Sequence, residues 1–299
     1  MRKPLFYFIS VFFLSLVLFP WLNTLPAELL DRLTITLIFI LGVPHGAIDN
    51  ILMKRRTGWS SSRFYLFYLG LITLNIGLWL ILPAVALLLF LFISAYHFGQ
   101  AQFKHHLKGN NVWNPLIYFS WGNLVLSFFF LFRREEIQSY FMDFSAYNQV
   151  AFIFDESTLQ TFLLINGLLL LFSLSMSLTK KSIGIGSIGI ETLILLMLVG
   201  ISYLYHFLLG FGIFFVLLHA VPVILEEYKE FYSSFSWKNL QKFLMMLLPF
   251  TLLSLFGIFF LFALKRFELL DTTYLFLILL AGSSITLPHV WVMKRFYRE

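Results

Sequence analysis

Four of the seven histidines in this 299-residue chain sit where ionisable side chains are rare. His45, His97, His219 and His289 each end a long apolar run: nine residues before Lys54, seven before Lys104, seven before Glu226 and five before Lys294. On helices rising ~1.5 Å per residue, those margins put each ring roughly 7–14 Å below the first charge, in one layer. Neutral imidazole is a common metal ligand. An unpaired imidazole is costly in lipid, and a shared cation supplies all four with a partner. The pattern reads as a metal site. Its rivals are a haem held from two sides by imidazoles and a metal-free proton path lined by histidines.

Other polar residues lie near this layer. Asp49 follows His45 by four residues, which on one helix face lets its carboxylate accept the ring N–H of His45; snorkelling to the water boundary is the alternative. Glu191, mid-run in GSIGIETLILL and ten residues from Lys181, is an acceptor behind the ligands, a proton carrier or an interfacial group. Gln100 and Gln102, just beyond His97, either support the site or reach the interface. His105 and His106, in KHHLK, read as a wet loop, and His206, in YLYHF, as part of an interfacial aromatic belt. Pro44 and Pro288 precede two of the histidines and imply either local breaks that aim the rings or ordinary kinks.

The elements that position these residues follow from composition. The chain is 60% hydrophobic and 12% charged, with mean hydropathy +0.86, against about 45–50% and about 25% for ordinary soluble domains. It is an all-α, polytopic membrane protein, a single domain over 1–299. Ten segments approach the ~20 apolar residues a spanning helix needs: 4–22, 33–53, 64–82, 84–103, 113–132, 157–178, 183–203, 205–225, 242–264 and 271–293. Two weak spans dropped together would leave eight. Pro83 marks a tight turn, and the gap 133–156 has room for a short interfacial helix. The N-terminal run is longer than the usual ~7–15-residue core of a signal peptide and is read as the first span. There are no cysteines, which excludes disulfides, thiolate metal sites and thiol nucleophiles. No GxxxxGK or GxSxG motif occurs.

Charge orients the bundle. With ten spans, 16 of the 21 Lys and Arg residues fall on the side of the N-terminus and 5 on the other. Basic residues mark the cytoplasmic side, so both termini are expected in the cytoplasm, in a multi-pass protein of the cell (inner) membrane. The net charge of +6 reflects this asymmetry rather than nucleic-acid binding. All four histidines then lie in the cytoplasmic leaflet. Imidazole suits iron, copper, zinc and nickel. A site at that depth favours an apolar substrate entering from lipid, and O2 is itself apolar. The many aromatic residues offer walls for a long conjugated molecule, although most must serve packing and lipid contact.

Four motifs, GVPHGAID at 42–49, SAYHFGQAQ at 94–102, LLHAVPV at 217–223 and TLPHVWV at 286–292, resemble the Brp/Blh family of membrane β-carotene 15,15′-dioxygenases in order and spread. The resemblance implies a non-haem Fe(2+) enzyme that splits the central double bond of β-carotene with O2 into two all-trans-retinal molecules, with a rhodopsin as a retinal acceptor. It matches His45 and His97 to iron ligands and His219 to the first histidine of an HxxxH element. Val223 stands where the second would fall, and Gln102 where the family often has an acidic residue. Iron is then held by three histidines, or by four with His289. The alternatives are a haem- or quinone-linked membrane oxidoreductase, a non-cleaving carotenoid-binding or transport relative, and a metal-free transporter or proton channel.

Overall fold

The computed structural model describes residues 2–297, with side chains from residue 5 onward. Arg298 and the side chains of Arg2 and Lys3, used above in the charge sorting, lie outside the described residues. Among those described, ten helices are long and apolar enough to cross a membrane: Leu5–Leu22, Ala27–Thr57, Ser61–Ile81, Pro83–Phe103, Asn114–Phe132, Glu156–Thr179, Ile185–Leu204, Phe207–Phe231, Trp237–Arg266 and Tyr274–Phe296. They are the ten expected spans, some lengthened at their ends. Large apolar side chains stand exposed along them, such as Leu66 at 79% and Phe256 at 69%. Patches on that scale mark lipid-facing surface rather than a water-soluble exterior. The gap after the fifth span holds short helices at Arg134–Phe141 and Tyr147–Val150.

Local chemistry sets the ends. Only Leu82 separates the third span from the fourth, and Pro83 opens the fourth, a position where the missing N–H costs nothing. Ser60, Asp155, Ser236 and Thr273 each cap a span by accepting a backbone N–H three residues on, which satisfies a donor the helix leaves open. Hydrogen bonds from Ser157 and from Thr158 hold the Asp155 carboxyl below the usual carboxylate range.

Two spans are not regular. The second runs α-helical over Ala27–Leu37, widens to π over Ile38–Gly42, tightens to 3-10 over Val43–Gly46 and resumes at Asp49–Thr57. The eighth is α over Phe207–Gly212, π over Ile213–Ala220 and α again over Val221–Phe231. π segments often mark functional sites, and these two flank His45 and contain His219.

The chain groups into two compact units. The first comprises 1–38, 95–139 and 152–222. Its core is an aromatic and aliphatic cluster that includes Trp121, Phe129, Ile201, Tyr205 and Phe214. Within it the fourth and fifth spans meet backbone to backbone. A Cβ on Gly99 would fall 1.9 Å from the Tyr118 carbonyl oxygen, and one on Gly122 would fall 1.8 Å from that of Ala95. Small residues allow such approaches in lipid, where close packing replaces the hydrophobic drive. The contact seats the segment that carries His97. The second unit comprises 39–94, 140–151 and 223–299. Its buried polar belt joins the third span to the tenth: Asn75 Nδ2 donates to Ser283 and Ser284, and Trp79 Nε1 donates to Ser283 at 2.7 Å.

Either Gly99→Ala or Gly122→Ala is expected to cost at least about 3 kcal/mol, the upper end for overpacking, because a carbonyl rather than a flexible side chain must move. Gly70→Ala, which meets nothing within 4 Å, should stay within about 1 kcal/mol of the wild type. Thermal melting in detergent checks the contrast.

Candidate metal centre

In the second unit, the PHG turn carries His45. Its Nδ1 lies against the carbonyl oxygen of Gly42. A carbonyl only accepts, so the proton is on Nδ1 and the lone pair of the ring is on Nε2. Over 38–46 the ladder passes from π to 3-10, and Gly42, at the start of the 3-10 turn, presents its carbonyl to the ring. Gly46 follows for a steric reason, since a Cβ there would come within 3.2 Å of His289 Nδ1.

His289 lies on the tenth span beside His45, with ring centroids 4.7 Å apart and planes at 85°. One ligand nitrogen of each lies within 4.8 Å of the other. His289 Nδ1 donates to Asp49 Oδ1 at 3.0 Å, with Oδ2 at 3.2 Å. Tyr68 Oη donates to Asp49 Oδ2 at 3.1 Å. Asp49 is 2% exposed. The sequence expectation that Asp49 steadies His45 is corrected here: its partner is His289. The four-residue rule assumes a continuous α-helix, and residues 43–48 are not one. Pro288 lies inside a continuous helix, so no break there aims His289.

In the first unit, His97 and His219 form a second perpendicular pair, with centroids 4.9 Å apart and planes at 84°. Both are buried. His219 ends a column of stacked rings in the eighth span, Phe207, Phe211, Phe215 and His219, each 5.8 Å from the next. Phe207 and Phe211 lie in the α part of the span and Phe215 and His219 in the π part, and the step of four keeps all of them on one face. This F-x3-F-x3-F-x3-H spacing is plain in the sequence, and its regular step of four was the signal that sequence reasoning missed. Val223 is 1% exposed, a buried apolar residue where the resemblance would place a ligand.

The remaining sequence candidates form a separate cluster in the first unit. Glu191, 3% exposed, accepts from Gln102 Nε2 at 3.1 Å and pairs with His106 Nε2 at 3.1 Å. Gln102 thus reaches Glu191 on the seventh span. His106 is not in a wet loop as expected: it turns inward to the carboxylate, while His105 is exposed. His206 Nδ1 lies 3.3 Å from Asp31 Oδ1 and 3.9 Å from Glu136 Oε1, all about a quarter exposed.

Both pairs suit a metal of intermediate softness. All four side chains are imidazoles, and the hydrogen bonds at Nδ1 of His45 and His289 place the lone pair of each ring on Nε2, the atom that would ligate. Asp49→Ala removes the acceptor of two buried donors and should destabilise by about 2–6 kcal/mol, at about 1–3 kcal/mol for each stranded donor. Asp49→Asn should cost less, and Tyr68→Phe about 1 kcal/mol. Thermal melting of the three variants in detergent checks that order.

Comparison with known proteins agrees with the motifs. A curated beta-carotene 15,15′-dioxygenase from an uncultured marine bacterium, 66A03, is 36% identical over 81 residues, or 25% of this chain. The match spans 30% of that relative's length. No solved structure matches. The family model described as beta-carotene 15,15′-dioxygenase matches residues 36–297, which include all four buried histidines, and the chain belongs to that family.

Proposed function

We propose that this protein is a membrane oxygenase that cleaves the central 15,15′ double bond of β-carotene with O2. Each carbon of the broken bond takes one oxygen atom, and two molecules of all-trans-retinal leave. Family membership over most of the chain carries this reading, and the two perpendicular imidazole pairs support it. His45, His97, His219 and His289 are the proposed ligands of one non-haem Fe(II), whose bound form supplies the O2 activation the reaction needs. His289 takes the place of the histidine missing at Val223. The depth of all four, inferred from their sequence margins, favours a substrate that arrives through lipid.

The chain's own residues have distinct tasks. The Gly42 carbonyl and the Asp49 carboxylate hold the protons of His45 and His289 on Nδ1, fixing each tautomer. Tyr68 keeps Asp49 in place. Phe207, Phe211 and Phe215 present stacked rings beside His219, an apolar wall for a conjugated chain that excludes water from the reactive intermediates. Glu191 and Gln102 support the end of the span that carries His97. The protein acts as one integral domain of the cell (inner) membrane, with both termini in the cytoplasm, and a rhodopsin is the proposed acceptor of retinal.

Expression in a β-carotene-producing bacterium tests the reading. Cells should lose their orange colour as retinal accumulates, and His45→Ala, His97→Ala, His219→Ala and His289→Ala should each stay orange. The purified wild type should retain about one iron per chain without a Soret band. A Soret band would favour the haem oxidoreductase, and folded protein without iron a transporter or carotenoid carrier. With His289 as the fourth ligand, Val223→His should change the rate by less than about threefold, under 1 kcal/mol of barrier. A gain far above that would show that the natural ligand set is incomplete.

A further inference from the structure

Where the second span gives way to the third, three aromatic rings of the second unit meet two guanidinium groups. Trp59 lies in the connection between the spans, Phe67 on the third span and Trp291 on the tenth. Ring centroids stand 5.2 Å apart for Trp59 and Trp291, 4.2 Å for Phe67 and Trp291, and 5.7 Å for Trp59 and Phe67. Arg63 holds its guanidinium 4.2 Å from the centre of the Trp59 ring, and Arg295 holds its own 3.4 Å from that of Trp291. Trp is the best ring for such a contact. A stacked guanidinium keeps its N–H donors in the plane of the group, on the edge that binds phosphate oxygens.

Charge near this cluster is one-sided. The chain carries no acidic residue from 50 to 134 or from 272 to 298. Glu230 reaches the preceding helix end, but Arg56 takes its carboxylate at 3.1 Å and Arg55 its carbonyl at 2.9 Å. Among the described residues Arg63 meets no carboxylate; it is exposed, next to the exposed Ser61 and Ser62. Beyond Arg63 on the same helix, Leu66, Gly70 and Leu74 follow at steps of three and four, which puts them on one face. Leu66 is 79% and Leu74 67% exposed, and Gly70 has open space where a Cβ would stand. A cationic head thus sits over an apolar stripe of a single helix. This is the end of the spans expected on the cytoplasmic side, where a negatively charged leaflet attracts basic residues.

We propose that this cluster binds an anionic phospholipid, with the phosphodiester held by Arg63 and Arg295 and one acyl chain along Leu66, Gly70 and Leu74. Two cations at one headgroup select a lipid of net negative charge over a zwitterionic one, whose own cation they repel. Arg63 lies five residues before Tyr68, and Arg295 six after His289. The bound lipid therefore ties together the ends of the two spans whose Tyr68 and His289 meet at Asp49. It is a stabilising ligand of the second unit, separate from the metal ligands and from the substrate, and the inference does not depend on which reaction the protein performs.

The test uses the full-length protein, stripped of native lipid in a neutral detergent, and follows its melting temperature as phosphatidylglycerol, phosphatidylcholine or inorganic phosphate is added. Phosphatidylglycerol should raise it by at least about 5 °C, and the other two by less than about 1 °C. Arg63→Gln, at an exposed position, should fold as the wild type and lose most of the rise, and Arg295→Gln should lose it as well. Lys238→Gln removes an exposed charge elsewhere on the same unit and should keep the full rise. Native mass spectrometry should find phosphatidylglycerol retained on the wild type and at least about tenfold weaker on Arg63→Gln. An equal rise with phosphatidylcholine would reduce the site to acyl packing and overturn the proposal. An equal rise with inorganic phosphate would make it a free-anion site, and an equal loss in Lys238→Gln would make the attraction a diffuse surface effect; either overturns it too. So would a folded Arg63→Gln protein that keeps both the rise and the bound lipid.

Discussion

A carboxylate among apolar helices has little water to solvate it, and Asp49 depends on two donors from other spans. His289 Nδ1 and Tyr68 Oη converge on its oxygens. Leaving any of these groups unsatisfied at such depth would be expensive, so the arrangement ties the second, third and tenth spans together and orients an imidazole at the same time. The irregular stretch before Asp49 belongs to the same device. There the backbone passes from π to 3-10, and the Gly42 carbonyl at the junction meets the His45 ring.

The first unit reaches a comparable result by close packing. Gly99 against Tyr118 and Gly122 against Ala95 bring two backbones into contact, and the helix segment that bears His97 is fixed by that notch. The eighth span lines up four rings across its α and π segments and ends the column on His219. Glu191 holds Gln102 from the neighbouring helix and draws His106 out of the loop. Polar satisfaction and steric fit thus converge on two imidazole pairs, each edge to face.

Function follows from what such pairs can do in an apolar setting. Neutral nitrogen donors with fixed tautomers leave a bound cation's charge available for chemistry. The chain's family is that of the beta-carotene 15,15′-dioxygenases, and the proposed substrates, an oil-soluble polyene and O2, are both apolar.

The sequence by itself determined how many spans the chain has, where Pro83 turns it and which residues carry the family's motifs, because hydropathy, turn chemistry and local motif are all properties of short stretches. Counting residues from the nearest charge gives an expected depth for each histidine but not its facing. Depth along a helix says nothing of rotation about its axis, and the rule that relates Asp49 to His45 holds only while the helix keeps its α period. That Asp49 meets His289, 240 residues away, that His106 turns inward to Glu191, and that the four histidines group as His45 with His289 and His97 with His219 were decided by tertiary structure, because each is set by which helices pack together and how each is rotated about its own axis.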